Sequence, residues 1–180
     1  MKTLIFTVLI IGIALSVSAD QTSPYAGQET RVIKALSQSE IDGYLSGEGM
    51  GYALAAELNH YPGPRHVLDL SEQLALTSEQ NAKTKTLFES MEKEAVTLGR
   101  ELIDKEKELD HLFANEAIDN KQLESILTEI GMLQAKLRYV HLSAHLEQKN
   151  ILIPHQIMLY DQLRGYQSGQ AHQGEHSHSN

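Results

Sequence analysis

The chain has 180 residues, with 15 basic side chains against 24 acidic ones, a net charge of −9 and no cysteine. That acid excess argues against a nucleic-acid backbone or an anionic membrane surface as partner, since both would repel it. Without cysteine there is no disulfide, no thiol chemistry and no lipid-modified N-terminal cysteine, so stability must come from packing, helix propensity or association.

The first residues, MKTLIFTVLIIGIALSVSAD, read as a cleavable export signal. Lys2 supplies the positive start, Leu4 to Leu15 an apolar stretch too short to span a bilayer comfortably, and Val17-Ser18-Ala19 a small-residue cleavage site. Residues 1–19 are therefore assigned to a signal peptide and the mature protein to export. Cleavage removes one of the 15 basic residues and no acid, so the mature charge becomes −10. Residues 20–38 are expected to be poorly ordered.

A helical domain is predicted over residues 39–166. Ser39 to about Asn59 carries Ile41, Leu45, Met50, Leu54 and Leu58 at helical spacing, but Gly43, Gly47, Gly49 and Gly51 argue against one continuous helix. Tyr61-Pro62-Gly63-Pro64 forces a turn, because the residue before each proline is pushed out of helical geometry. Pro64 then suits the first position of a short helix through Val67, Leu70 and Leu74. From Ser78 to about Phe113, Phe88, Met91, Ala95, Leu98, Leu102, Leu109 and Leu112 form a three-and-four stripe, and Thr77 with Gln80 can form a capping box at its start. A second stripe, Leu123, Ile126, Ile130, Leu133, Leu137, Val140 and Ala144, follows Asp119, which is placed as N-cap with Gln122 completing the box. Pro154 opens another short helix with Ile157, Tyr160 and Leu163, and Gly165 can end it. Residues 167–180, rich in Gly, Ser, Gln and His, are expected to be disordered.

The two stripes can be tested against each other, because facing residues of an antiparallel hairpin lie equally far from its turn. Leu109 with Leu123, Leu102 with Ile130, Ala95 with Leu137 and Phe88 with Ala144 are all centred on Glu116, inside the predicted turn. The fold class is therefore all-α: a long antiparallel helical hairpin with short flanking helices. A layer so thin leaves apolar surface, for which dimerisation is the natural remedy.

His141 and His145, four apart in HLSAH, project from one side of a helix at a spacing that brings two imidazoles onto one ion. The hairpin register sets Met91 opposite His141, adding a thioether suited to copper or nickel. The commoner role for such histidines is a hydrogen-bonded boundary residue. The tail adds His172, His176 and His178 beside Glu175, a flexible set that can chelate Zn, Cu or Ni loosely. His60, His66, His111 and His155 look scattered. Gly47-Glu48-Gly49-Met50-Gly51 follows no predicted strand and lacks the lysine of a phosphate loop. There is no zinc-protease or nucleophile-elbow motif, so no enzyme activity is expected and no cofactor is required.

Two related phrases bracket the hairpin: Leu76-Thr77-Ser78-Glu79-Gln80 before it and Leu152-Ile153-Pro154-His155-Gln156 after it. Paired Leu-Thr-x-x-Gln boxes around a long helical hairpin, behind an export signal, resemble the Spy/CpxP family of periplasmic chaperones and stress regulators. Its relatives include a zinc-resistance-associated protein and periplasmic nickel and cobalt sensors. The likeness spans Gly49 to Tyr166. The family boxes correspond here to Leu76, Thr77 and Gln80, and to Leu152 and Gln156, with Ile153 standing where the pattern has a threonine. The resemblance implies a cradle-shaped homodimer that holds unfolded envelope proteins without ATP during envelope stress. Alternatively it implies a heavy-metal sensor or buffer, or a regulator of a membrane sensor kinase. The best-known chaperone of the group has a basic concave face, whereas this chain is acidic.

Overall fold

The computed structural model of the chain describes residues 22–166. The signal-peptide assignment (residues 1–19) and the histidine-rich tail (residues 167–180) lie outside the described residues. The chain divides after Thr30 into two units. The first contributes only turns and a 3-10 segment, Gln28–Thr30, to the described residues. All that follows concerns the second, which is helical and, among the described residues, has no strand.

Apart from the single-turn α2, each helix starts where a side chain or a proline disposes of unpaired backbone N–H groups. Helix α1, Gln38–Ser46, is capped by Ser37, whose hydroxyl accepts from Glu40 N while Glu40 Oε2 accepts from Ser37 N at 2.8 Å. It ends at Gly47 in the left-handed region (φ 68°). A single-turn α2, Leu54–Glu57, and α3, Pro64–Asp69, opened by Pro64, follow. The two long helices are α4, Ser78–Ala114, and α5, Asn120–Ile151. Both open with the predicted boxes, Thr77 with Gln80 and Asp119 with Gln122. At about 1.5 Å per residue α4 is roughly 55 Å long. Helix α6, Pro154–Leu163, completes the set.

The chain reverses at Glu116, which adopts φ 53°. The side-chain bond from Gln148 Nε2 to Thr84 Oγ1, 3.1 Å, joins two residues equally far from it. The hairpin register is therefore the one the two stripes predict.

Two apolar clusters hold the fold. The larger occupies the turn half of the hairpin and includes Ala95, Leu98 and Leu102 from α4 and Ile126, Ile130 and Leu137 from α5. A smaller one at the open end joins Val67, Leu74, Leu152 and Tyr160. Full burial of each such side chain contributes about 1.5–3 kcal/mol. The expectation of a poorly ordered segment reaching residue 38 needs correction. Ile33, 3 % exposed, and Leu36 pack into the larger cluster, and Lys34 donates through N and Nζ to the two carboxylate oxygens of Asp110, each at 3.1 Å. Residues 31–36 have no periodic pattern because, beyond one local bond from Leu36 N to the Ile33 carbonyl, they are held by tertiary contacts.

Helix α1 crosses α4 at Gly99, where a Cβ would come within 2.5 Å of the Tyr44 carbonyl oxygen. This close crossing places the glycine-rich segment after α1 over the middle of α5.

Candidate functional site

Between the two apolar clusters, α5 turns polar on its inner face. His141 and His145 are both buried there, His141 to 3 % exposure. Their surroundings treat the two rings differently. Nδ1 of His145 lies 2.7 Å from the Tyr61 carbonyl oxygen, so it carries the proton and leaves Nε2 with a free lone pair. A histidine that donates one ring N–H to a backbone carbonyl is oriented as metal-binding histidines are. Gly63 lies close against the Cε1–Nε2 side of that ring: a Cβ there would sit 3.0 Å from Nε2 and 2.9 Å from Cε1. His141 stacks on Tyr52, with ring centroids 6.2 Å apart and planes 12° from parallel, and its buried Nε2 has no hydrogen-bond partner.

Behind His145 stands Glu57, also buried. Its Oε1 accepts from the hydroxyls of Tyr160 and Tyr166, the latter at 2.8 Å, with Arg164 Nε at 3.5 Å. Burial and the Glu57 carboxylate push the Tyr160 hydroxyl well above its ordinary pKa, so it stays a donor. The second oxygen, Oε2, lies 3.7 Å from His145 Nδ1 and accepts no hydrogen bond.

Both histidines line an open cavity of about 550 Å³ together with Met91, Met50 and Glu57. Met50 reaches it on the segment Gly47–Gly51, where Met50 (φ 42°) and Gly51 (φ 83°) both turn left-handed. Met91, His141 and His145, predicted together from spacing and register, are thus brought to one cavity. His66 is on the same wall, whereas His60 pairs with buried Asp161 at 2.8 Å. The tail candidates His172, His176 and His178 fall outside the described residues. Glu57 and Met50 were not among the predicted site residues: Glu57 sits on a single-turn helix, and Met50 was read only as an apolar position in a glycine-rich stretch within the span of the family likeness.

The fit to a metal ion is good for a soft ion. One imidazole is set in the ligating tautomer, a second has a buried unpartnered nitrogen, and a thioether stands in the same cavity. Among the described residues no three His, Cys, Asp or Glu side chains converge, so a closed tetrahedral zinc site is not preformed.

The Leu-x-x-x-Gln boxes are more than caps. Gln80 Nε2 donates to Gln156 Oε1 at 2.8 Å and Gln156 Nε2 donates back to Gln80 Oε1 at 3.1 Å. Each oxygen also accepts from the backbone N–H that its own box must satisfy, Thr77 N and Ile153 N. Each nitrogen also donates across to the other segment, to Ile151 O and to Leu74 O. At Ile153, which has no side-chain acceptor, the Gln156 N–H turns to the Ile153 carbonyl instead. This amide clasp ties the starts of α4 and α6 together at the open end. Spacing within one box predicts a cap; only the fold brings the two glutamines together.

Two outcomes follow for the metal-free protein. Burial, and secondarily the neighbouring His145, lower the pKa of His141 below its ordinary 6.5. The unfolded chain then takes up a proton that the folded chain resists, so this contribution to stability is complete above pH 6.5 and is lost as pH falls toward the lowered value. Denaturant unfolding in chelator should give a lower midpoint at about pH 5.5 than at about pH 7.5, and His141→Gln should reduce that difference. Gly63→Ala places a methyl group against the His145 ring. It should cost about 1–3 kcal/mol by overpacking, read as a lower denaturation midpoint in chelator. Gly49→Ala, whose Cβ meets His141 Nδ1 at an ordinary 3.8 Å, should leave the midpoint unchanged.

Comparison with known families matches residues 50–158 to the heavy-metal resistance family. The matched segment contains Met50, Glu57, Met91, His141 and His145. No curated protein and no solved structure matches the chain.

Proposed function

The chain belongs to the heavy-metal resistance family, and on that footing we propose that it is a periplasmic metal-binding buffer or sensor that captures an ion in the cavity lined by His141, His145 and Met91. The observation that carries this proposal is the orientation of His145. Its Nδ1 proton is committed to the Tyr61 carbonyl, which leaves Nε2 as the ligating nitrogen in a cavity that His141 and Met91 also line. A bound ion would supply a positive charge coordinated by His141 and His145, coupling its presence to the packing of α1 and the glycine-rich segment over α5. No catalysis is assigned.

The test is calorimetry with Zn(II), Cu(II) and Ni(II) on the full-length chain and on two variants. One carries His172→Ala, His176→Ala and His178→Ala; the other carries His141→Ala with His145→Ala. Stoichiometric binding that survives the tail substitutions and is lost in the double variant is the expected result. Binding lost only with the tail histidines would remove the cavity from the account.

A chaperone role has separate support. Met132, Tyr139, Leu146 and Ile153 recur every seven residues on the exposed side of α5 and the start of α6, and Tyr139 is 71 % exposed. Such a stripe suits either a second copy of the chain, as in a Spy/CpxP-like cradle-shaped homodimer, or an unfolded client. Suppression of client aggregation without added metal, weakened by Tyr139→Ser and Leu146→Ser, would support it.

A further inference from the structure

The donors around the cavity differ in kind from those a borderline divalent ion seeks. Zn(II) and Ni(II) sites are built from three or four imidazole, thiolate or carboxylate groups. Here, among the described residues, no three His, Cys, Asp or Glu side chains come together. Of Glu57, the carboxylate nearest His145, one oxygen is committed to two tyrosine hydroxyls. The other accepts no hydrogen bond and lies 3.7 Å from Nδ1, on the edge already turned to Tyr61 rather than beside Nε2. Glu48, Asp69, Glu92 and His66 also line the cavity, but they do not converge on it as a set of three; beside the imidazoles of His141 and His145 stand two soft donors, the thioether of Met91 from α4 and the thioether of Met50 from the glycine-rich segment. Thioethers are poor ligands for hard or borderline divalent ions and good ones for Cu(I) and its congener Ag(I). The cavity is also open to the surface, which gives a weakly hydrated monovalent ion a way in.

Building on the metal-binding role proposed above, we infer that this cavity selects a soft monovalent ion, Cu(I) or Ag(I), through His141, His145 and Met91, with Met50 closing the site as a fourth donor. Met50 has a physical reason to be where it is. Its backbone is held at φ 42°, unfavourable for a side chain of that size, and its sulfur packs so tightly on α1 that a Cβ at Gly43 would lie 2.9 Å away. A loop that needed only to turn would place glycine or asparagine there.

Silver(I) serves as the air-stable probe, with Zn(II) and Ni(II) as competitors, on the full-length chain carrying His172→Ala, His176→Ala and His178→Ala. One equivalent of Ag(I) should bind and resist displacement by excess Zn(II) or Ni(II). Met91→Leu and Met50→Leu, which conserve volume, should each weaken Ag(I) binding by about 10-fold or more while leaving any Zn(II) or Ni(II) titration unchanged. X-ray absorption at the silver edge should report sulfur scatterers that the Met91→Leu variant loses. Preferential binding of Zn(II) or Ni(II), or Ag(I) binding indifferent to both methionine substitutions, overturns the selectivity while leaving a divalent site intact. Binding of neither class of ion, or binding of both unaffected by His141→Ala with His145→Ala, overturns the metal-binding role itself and this inference with it.

Discussion

Replacing Gln156 by Leu is expected to cost roughly 3 kcal/mol, and to lower the melting temperature by about 6–12 °C. Leucine fills similar space, so the loss is not a cavity. It is the stranding of partners: Ile153 N loses its acceptor at 3.1 Å, the Leu74 carbonyl loses its donor at 3.1 Å, and the Gln80 amide loses both reciprocal bonds. Gln156 is buried, so water cannot easily replace what is removed, and an unsatisfied buried group costs about 1–3 kcal/mol. Thr77→Ala, by contrast, removes only a cap and should cost about 1 kcal/mol. A double-mutant cycle of Gln80→Leu with Gln156→Leu should show a coupling of about 1–3 kcal/mol, because the second substitution strands fewer groups once the first is made. Equal costs for Gln156→Leu and Thr77→Ala, with no coupling, would reduce the boxes to two independent helix caps.

Gly99→Ala sets two effects against each other. Alanine in a helix interior is favoured over glycine by up to about 1 kcal/mol. At Gly99, however, the added Cβ would meet the Tyr44 carbonyl oxygen at 2.5 Å and its carbon at 3.0 Å, and backbone cannot rotate aside as a side chain can. Overpacking of about 1–3 kcal/mol should win, and it should act by driving α1 off α4. Because α1 leads into the segment that covers His141, hydrogen exchange over residues 38–57 should speed up along with the loss of stability. Gly131→Ala, where a Cβ meets nothing within 4 Å, isolates the propensity term and should stabilise the protein by about 0.5–1 kcal/mol. Opposite signs for the two substitutions in the same melt are the expected result; stabilisation by both would mean that α1 is not held at Gly99.

The hairpin was legible in the sequence because helix periodicity and antiparallel register are two separate constraints, and Ala95, Leu102, Ile130 and Leu137 satisfy both. The capping boxes at Thr77 and Asp119 were equally plain, since each is complete within four residues. What the sequence hid was whatever depends on distant segments meeting. Ile33 and Leu36 lie outside any periodic run yet reach the core. Thr84 and Gln148 are polar, yet they continue the two stripes by one turn and are fully buried, joined by the bond from Gln148 Nε2 to Thr84 Oγ1. Phe88, read as a core position facing Ala144, is only half-buried and instead lies beneath the Arg65 guanidinium, 5.6 Å from ring centre. At the site, the four-residue spacing of His141 and His145 and the register of Met91 were enough to group three donors. Glu57 and Met50 were not grouped with them because their place comes from a single-turn helix and a left-handed loop.

The most direct measurement of the central claim, that the folded cavity and not the tail holds the ion, is a titration of the full-length chain with Ag(I) followed through the ring nitrogens of ¹⁵N-labelled histidine. His145 Nε2 and one nitrogen of His141 should move to metal-bound shifts at one equivalent, while His145 Nδ1 keeps its proton for Tyr61. Shifts confined to His172, His176 and His178, with the two α5 histidines unmoved, would contradict it.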